Sequence, residues 1–356
     1  MVKMYNGIYN GKRILLTGHT GFKGSWMALV LQKLGATVIG YSLPPNTNPS
    51  HYSLLNLNLK SHYEDICNFD VLKNVIKIQR PDIIFHLAAQ PLVRYSYINP
   101  LKTYQTNVIG TVNVLEAARF CDSIKSIVVI TSDKCYENLN QEIGYVETDR
   151  LGGYDPYSSS KACAEIVVSS YRNSFFNTKD YQIKHNTLIA TARAGNVIGG
   201  GDWSNDRLIP DLIRSAIKGE YAKIRFPNAT RPWQHVLEPI HGYLMIGQAL
   251  LSGKIEFATS WNFGPYIENT LSVSQVLELS KTIWEDINFE FKKEENEPHE
   301  AKLLSLNINK SLLHLGWKPK WTNEESISRT IGWYKELTSS GHLNTEEDII
   351  NYYGIN

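Results

Sequence analysis

The sequence has almost no net charge, few cysteines and no long apolar run, and each shortage excludes a class of protein. Its 36 Lys and Arg residues nearly balance its 35 Asp and Glu residues, so no general attraction to nucleic acid or an anionic membrane is expected. No apolar stretch approaches the roughly 18 residues of a membrane span, and residues 1–10 lack the apolar core of a signal peptide. The sequence therefore predicts a cytoplasmic protein that binds neither nucleic acid nor membrane.

The four cysteines also argue against a disulfide framework or a metal site. Cys67, Cys121, Cys135 and Cys163 fall at irregular spacings, without a CxxC pair or a Cys/His cluster. We expect them to be reduced thiols and we expect no metal. With 42% hydrophobic and 20% charged residues, the composition is that of a globular chain, and 356 residues suffice for one large or two ordinary domains.

Short β-branched runs alternate with longer helical patterns in the first half of the chain, which is typical of βαβ units. The predicted strands cover residues 13–16, 37–41, 62–66, 83–87, 127–131 and 186–191, with a late strand at 261–263. The predicted helices cover residues 24–34, 71–79, 101–120, 157–173 and 211–218. Because the strands are almost continuously apolar, we expect helices on both faces of a doubly wound parallel sheet in an α/β fold.

The regular alternation stops after about residue 193, where a glycine-rich loop begins. We predict a nucleotide-binding domain made of residues 1–194 and about 236–264. A smaller, discontinuous C-terminal domain would be made of about 195–235 and 265–356, with a cleft between the two domains. The charged run at 292–297 is interpreted as a solvated loop.

The first predicted strand runs into TGHTGFKG at residues 17–24, a GxxGxxG spacing that opens a helix. Glycines there permit a tight turn and let the backbone approach a pyrophosphate at the helix N-terminus. A purely structural turn is the alternative, but the strand–turn–helix context favours a Rossmann-type dinucleotide site. The second strand ends in GYSLPP without the usual ribose-binding acid, so the adenine is assigned to Asp65 and Ile66, with a helix N-cap as the alternative role of Asp65.

Tyr157 and Lys161 form a YxxxK pair at the start of a predicted helix, so both side chains lie on one face. The ammonium is expected to lower the pKa of the phenol and make Tyr157 a usable base near neutral pH. YxxxK is common, and an ordinary pair on a helix surface is the alternative. The pair gains meaning only from the motifs that accompany it.

Together these motifs resemble the extended short-chain dehydrogenase/reductase family. HLAA at 86–89, NxxG at 107–110 and TSD at 131–133 stand between the glycine turn and YxxxK in the order of that family. The resemblance implies an NAD-binding Rossmann domain followed by a substrate-binding domain. It also implies catalysis by Tyr157 and Lys161, with Ser132 orienting a sugar hydroxyl.

Longer blocks resemble the nucleotide-sugar dehydratase branch of the family, and within it the enzymes of CDP-glucose. They are HLAAQPLVR at 86–94, AGNVIGGGDW at 194–203, RPWQHV at 231–236, PHEAKLL at 298–304 and LGWKP at 315–319. The resemblance implies CDP-glucose as substrate, NAD as cofactor, and C4 oxidation, loss of water across C5–C6 and hydride return to C6. The alternatives are another nucleotide-sugar dehydratase, a 4-epimerase, or a dinucleotide-binding regulator without catalysis, which would need only the glycine turn.

Two departures from that branch bear on the chemistry. Relatives acting on dTDP-glucose carry Asp-Glu where this chain has Asp133 and Lys134. Asp133 keeps the role of acid, whereas Lys134 is either the C5 base or a cation that stabilises the C4 enolate. His19 and Lys23 stand where relatives often carry small or aliphatic residues, which predicts weaker retention of NAD.

The predicted site has three sets of residues. The catalytic set is Ser132, Asp133, Lys134, Tyr157 and Lys161. The cofactor-binding set is Gly18, His19, Thr20, Gly21, Phe22, Lys23, Gly24, Asp65, Ile66, Leu87, Ala88, Ala89, Asn107, Tyr157 and Lys161. The substrate-binding set is Gln90, Arg94, Arg193, Asn196, Arg231 and His235. For His235 the alternative is a core histidine, and for Arg231 it is a structural ion pair.

A homodimer is also expected from the resemblance, through a four-helix interface built from the helices at 101–120 and 157–173. The candidate interface residues are Val108, Val112, Leu115, Ile166 and Val167. Core packing within one subunit is the competing explanation for these side chains.

Overall fold

The computed structural model describes residues 1–141, 143–266, 270–292 and 304–354. Its strands are β1 Arg13–Thr17, β2 Thr37–Ser42, β3 Lys60–Tyr63, β4 Ile83–His86, β5 Ser126–Ile130, β6 Leu188–Ala194, β7 Val197–Ile198, β8 Tyr221–Ile224, β9 Thr230–Arg231, β10 Gln234–His235, β11 Ser260–Phe263, β12 Leu271–Ser272 and β13 Asn288–Phe291. Its helices are α1 Phe22–Lys33, α2 His51–Leu55, α3 Phe69–Gln79, α4 Val93–Ile98, α5 Pro100–Tyr104, α6 Gly110–Arg119, α7 Pro156–Ser174, α8 Leu208–Lys218, α9 Leu237–Leu251, α10 Val273–Ile283, α11 Asn323–Ser340 and α12 Thr345–Tyr353.

Seven parallel strands form the central sheet in the order β3-β2-β1-β4-β5-β6-β11, which confirms the predicted Rossmann-type fold. The strand order reverses between β1 and β4, because β2 and β3 are added on one side of β1 and the later strands are added on the other side. In sheets of this kind, ligands bind at that reversal, beyond the carboxyl ends of the strands. The glycine turn after β1 lies at this position.

Several elements differ from the sequence prediction: β6 covers Leu188–Ala194 rather than 186–191, and α8 begins at Leu208 rather than at residue 211. β3 covers Lys60–Tyr63 rather than 62–66, because it is an edge strand that pairs only with β2 and has no buried residue to mark its register. The single helix predicted at 101–120 is divided into α5, a π-helical turn at Gln105–Ile109, and α6.

The sheet is covered on both faces, and the second domain has a core of its own. One layer packs α1, α9 and α12 against the sheet, and the other packs α3, α6 and α7. A separate cluster joins α8, α10 and α11 through buried side chains such as Leu212, Leu277 and Trp333. β11 and α9 pack in the core of the first domain, to which the sequence assigned them. α12 also packs there, through Ile349 and Tyr352, although the sequence assigned 265–356 to the second domain.

Three two-stranded pairs build the second domain's wall above the sheet: β7 with β10, β9 with β12, and β8 with β13. The predicted loop at 292–297 and the block at 298–304 fall almost wholly outside the described residues. Of the helices that the described ranges contain, none is both long enough and apolar enough to cross a membrane.

Candidate active site

A deep cleft of about 660 Å³ runs between the carboxyl ends of the strands and the wall of the second domain. This volume is within the usual range for small-molecule sites. The glycine turn, the segments that follow β3, β4 and β5, the start of α7, and the α8–β8 region all line the cleft. The cleft therefore gathers most of the residues that the sequence singled out.

The glycine turn has the geometry that a dinucleotide pyrophosphate needs. Gly18 has a φ of +76°, and a Cβ there would lie 2.7 Å from the backbone nitrogen of Ala88, so a larger residue is excluded on two grounds. A Cβ on Gly24 would collide with the Gly18 carbonyl. α1 begins with Gly21 as N-cap, without a side-chain cap and without an acid in its first turn. Its first amide groups are therefore available to a phosphate, and the turn fits the group.

β2 ends without an acid, but the segment after β3 brings two acidic residues to the cleft. Glu64, Asp65 and Ile66 line the cleft beside the glycine turn. The Asp65 carboxylate accepts a hydrogen bond from the Cys67 amide at 2.9 Å and pairs with Lys102 at 2.7 Å. The N-cap of α3 is Asn68, so the alternative role proposed for Asp65 is wrong.

Tyr157 is held in the first turn of α7 by a complete N-terminal cap. Asp155 accepts hydrogen bonds from the Ser158 amide at 2.9 Å and from its hydroxyl at 2.6 Å, and Pro156 occupies the first helical position. Burial raises the pKa of Tyr157 to about 12, with the hydrogen bond to Ser132 opposing the shift. The expected lowering by Lys161 is not seen, because the Lys161 ammonium instead donates to the Ile130 carbonyl at 3.2 Å.

Ser132 and Asp133 follow β5 and face the same cleft as Tyr157. The Ser132 hydroxyl donates to Asp133 Oδ1 at 2.9 Å and accepts from the Lys134 amide at 3.2 Å. Asp133 Oδ2 is buried without a hydrogen-bond partner in the described structure. Burial raises the pKa of Asp133, with the charge of Lys134 opposing the shift. A carboxyl group in this state is suited to donate a proton to a ligand in the cleft.

Two further cations are buried close to Tyr157. Burial lowers the pKa of Lys161 to about 8, and burial together with the charge of Lys161 lowers that of Lys23 to about 7. The Lys23 ammonium donates to the Tyr243 hydroxyl at 3.2 Å. The centre of the cleft therefore holds two amines whose charged forms an anionic ligand would stabilise.

The second domain brings Asn196 and Arg231 to the cleft, and Arg94 lines it from the start of α4. A Cβ on Gly195 would lie 3.2 Å from Asp133 Oδ2 and 3.0 Å from Pro232. Arg231, which precedes Pro232, is therefore close enough to the Asp133 carboxyl for its charge to act on that group. The cleft also contains Arg207, Asp211 and Arg225, which the sequence did not single out. They belong to no sequence motif, so only the structure shows that these residues, which lie near α8 and β8, line the cleft.

Arg193 does not reach the cleft, which corrects its assignment to the substrate. Its guanidinium is buried on the far side of β6, where it pairs with Glu165 at 2.8 Å. It also donates to the Tyr136 hydroxyl at 2.6 Å and to the Glu147 carbonyl at 3.0 Å. Because Arg193 is the sixth residue of a fully buried strand, its side chain alternates away from the site.

His235 is also a core residue rather than a substrate ligand. It is fully buried, and its ring lies 5.5 Å from that of Trp26 and 4.8 Å from that of Trp321. Burial lowers the pKa of His235 to about 3, so the ring is neutral. The core alternative considered for this residue is therefore the correct one.

Three more predicted site residues have side chains that do not line the cleft and instead bind neighbouring protein groups. The Asn107 side chain accepts from the Gln90 amide at 2.8 Å and donates to Ser160 Oγ at 2.8 Å. The Gln90 side chain is engaged with Leu92 and Thr103. The His19 ring is buried against Ser61 and Tyr52, so only its backbone can face a cofactor.

The Arg193–Glu165 pair leads to a prediction about stability. Replacing Arg193 by Met should lower the free energy of unfolding by about 3–5 kcal/mol, because Glu165 would remain as a buried charge without its partner. Urea denaturation of the variant and of Arg80→Met, which breaks an exposed ion pair, measures the difference. A stable Arg193→Met protein whose only defect is a higher KM would restore the substrate role.

The parallel sheet, the glycine turn and the Tyr157–Lys161 pair in one cleft define a dinucleotide-dependent enzyme of the short-chain dehydrogenase/reductase class. Residues 15–330 match the model of the family described as GDP-mannose 4,6 dehydratase, and the chain belongs to this family. The resemblance found in the sequence motifs is thereby confirmed.

Individual relatives support the same placement. The chain is 48% identical to the CDP-glucose 4,6-dehydratase of Salmonella typhimurium over 92% of this chain and 91% of that enzyme. An epimerase of Methanothermobacter thermautotrophicus has a similar structure, with a TM-score of 0.79, 25% identity, and coverage of 94% of this chain and 96% of that one. The dTDP-glucose 4,6-dehydratase of Bacillus anthracis, solved with NAD, has a TM-score of 0.73, 25% identity, and coverage of 92% and 97%.

Proposed function

We propose that the protein is an NAD-dependent CDP-glucose 4,6-dehydratase that forms CDP-4-keto-6-deoxyglucose. The observation that carries the proposal is the buried Asp133 carboxyl, which faces the cleft beside Ser132 and Tyr157. A 4-epimerase has no leaving group at C6 and needs no such acid. The identity to the Salmonella typhimurium enzyme supports the same substrate.

The residues of the glycine turn would hold the NAD pyrophosphate, and the segment after β3 would hold the adenosine. Bound NAD⁺ would supply the acceptor for the hydride of the sugar C4 and the donor of that hydride to C6, so it would be regenerated in each cycle. The protein supplies the proton transfers. Tyr157 removes the C4 hydroxyl proton, and Ser132 orients that hydroxyl. Because burial raises the pKa of Tyr157 to about 12, positive charge in the cleft must assist the loss of its proton.

Asp133 and Lys134 carry the elimination in this proposal. The C4 ketone acidifies the C5 proton, and Asp133 protonates the departing C6 hydroxyl. Lys134 lines the cleft directly after Asp133, where its amine can take the C5 proton. In the alternative role it remains an ammonium that stabilises the enolate. In both roles Lys134 acts after the oxidation of C4.

The diphosphate of the substrate is assigned to Asn196 and Arg231, with Arg94 at the mouth of the cleft. Arg231 is 8% exposed, so its guanidinium works in a partly dry site where charge-assisted hydrogen bonds are strong. The functional test is incubation of the purified protein with NAD⁺ and CDP-, dTDP-, GDP- or UDP-glucose. Loss of one water, detected by mass only or mainly from CDP-glucose, is the expected result.

We also propose that the enzyme is a cytoplasmic homodimer. All four cysteines are free thiols in the structure, as expected in a reducing compartment. Of the candidate interface residues, Leu115 is fully buried in its own subunit and Val167 packs against the same core. The exposed apolar side chains around α5 and α7 are Ile98, Leu101, Ile109 and Ile166.

The dimer proposal makes a prediction about this face. Leu101→Asp should convert the protein to a monomer, because Leu101 is 70% exposed on α5, which packs beside α7. Light scattering at micromolar concentration gives the mass. The control is Leu313→Asp, which changes a leucine elsewhere that is 79% exposed and should leave the dimer intact. A monomer mass for the unmodified protein would overturn the proposal.

A further inference from the structure

An acidic side chain lies on the wall of the cleft that the catalytic residues leave unused. Asp211 is in the first turn of α8, on the side of the helix opposite to Ile209, Leu212 and Ile213, which are buried in the second domain's core. It lines the cleft together with Leu208 from the same turn. None of the steps assigned above involves this carboxylate.

The chain path from Arg231 back to β8, and the packing of α8 on β8, connect the diphosphate-binding residue with Asp211. Asp133 marks the reacting sugar, and Arg231 follows it toward the second domain. β9, which carries Arg231, pairs with β12, and the Val273 amide donates to the Ala229 carbonyl at 3.0 Å. Phe226 and Ala229, between β8 and β9, line the same wall, and α8 packs beside β8. A nucleotide sugar whose diphosphate is bound by Arg231 would have its base along this wall, which includes Asp211.

This part of the cleft suits a flat, largely apolar ring with one polar edge. Leu208, Ile224, Phe226 and Val273 all line it, and all of these except Phe226 belong to one hydrophobic cluster or pack against it. Phe226 is 41% exposed and offers an aromatic face. A pyrimidine base can bury its two faces here, so its hydrogen-bonding edge meets the polar groups of the wall.

The Asp211 carboxylate is fixed in place by Arg214. Arg214 pairs with Asp211 Oδ1 and donates to the carbonyls of Trp203 at 2.9 Å and Ser204 at 3.0 Å. Throughout the described part of the chain, Oδ2 of Asp211 accepts no hydrogen bond. The carboxylate is therefore oriented by one oxygen and can accept a hydrogen bond from a ligand with the other.

We infer that Asp211 selects cytosine by accepting a hydrogen bond from its exocyclic amine, an inference that rests on the proposed function. Cytosine carries an amine donor at the position where uracil and thymine carry a carbonyl oxygen. A carboxylate therefore attracts the edge of cytosine and repels that of the other two pyrimidines. Asp211 would act as a specificity-determining residue, remote from the reacting atoms.

The test compares kcat/KM for CDP-glucose and UDP-glucose in the unmodified enzyme and in Asp211→Asn. The amide can donate to a carbonyl oxygen as well as accept from an amine, so the preference for CDP-glucose should fall by about tenfold to hundredfold. The change should appear in KM rather than in kcat, because the contact is equally strong before and during the reaction. Asp180→Asn removes a carboxylate from a surface ion pair outside the cleft and should keep the original preference.

A second measurement uses only the unmodified enzyme, so it does not depend on the folding of a variant. CDP, UDP and a CDP analogue with two methyl groups on the exocyclic nitrogen are compared as competitive inhibitors. CDP should bind at least about tenfold more tightly than the other two. An unchanged preference in Asp211→Asn, or equal inhibition by CDP and its dimethyl analogue, would overturn the role of Asp211 while leaving the dehydratase intact. An unmodified enzyme that does not dehydrate CDP-glucose would refute the proposed function, and this inference with it.

Discussion

Replacing Tyr157 by Phe should reduce kcat by about a hundredfold to ten-thousandfold, the range that a positioned general base contributes. The substitution removes one hydroxyl from a residue that is 8% exposed in the first turn of a well-capped helix. The fold and the binding of NAD and nucleotide should be largely preserved. The defect should therefore lie in kcat, with little change in KM or in thermal stability.

The control for Tyr157→Phe is Tyr171→Phe on the same helix. Tyr171 lies outside the cleft, where its hydroxyl donates to Glu116 at 3.1 Å. Turnover of the control should stay close to that of the unmodified enzyme, measured as CDP-4-keto-6-deoxyglucose formed per unit time. Activity of Tyr157→Phe within a few-fold of the same value would show that another group accepts the C4 hydroxyl proton.

Replacing Asp133 by Asn should block dehydration by a similar factor and yet leave the first half of the reaction in place. Asn cannot protonate the C6 hydroxyl, although it can keep the hydrogen bond to Ser132. The sugar can still be oxidised at C4, and its C5 hydrogen should still exchange with deuterated solvent. Water loss and C5 exchange, both measured by mass, therefore separate the acid from the base.

Lys134→Met provides the complementary result for the same experiment. If Lys134 acts on C5, this variant should lose exchange as well as dehydration, whereas Asp133→Asn loses only dehydration. Asp180→Asn, which removes a carboxylate from a surface ion pair, serves as the control and should behave as the unmodified enzyme. Exchange at the normal rate in Lys134→Met would place the C5 base elsewhere, and rapid dehydration by Asp133→Asn would remove Asp133 from the mechanism.

The sequence predicted the sheet and the meeting of the motif residues in one cleft because both follow from local patterns. β1, β2, β4 and β5 are continuously apolar between turn residues, and their bounds agree with the prediction within a residue or two. The glycine turn, Ser132, Asp133 and Tyr157 lie at the carboxyl ends of these strands or at the helix starts that follow. In a parallel sheet such positions meet at one edge, so the order of motifs along the chain is sufficient to bring them together.

Residues in the longer motif blocks were harder to assign, because membership of a block does not say which way a side chain points. Arg193 and His235 both belong or lie next to such blocks, but both side chains are buried in the protein interior. Arg193 points there because side chains alternate between the two faces of β6, and His235 is buried by the packing around β10. Conversely, Arg207 and Asp211 line the cleft from a helix whose polar side looks like an ordinary solvated face in the sequence. Only the packing of the second domain against the first reveals their role.

The most direct test of the proposed reaction is the fate of the hydrogen at C4 of the sugar. CDP-glucose labelled with deuterium at C4 is incubated with the enzyme and NAD⁺ in ordinary water, and the product is examined by mass and NMR. The account predicts a product that has lost one water and carries deuterium in its C6 methyl group, with NAD⁺ unchanged in amount. A product that retains its C6 hydroxyl, or a dehydrated product with no deuterium at C6, would contradict it.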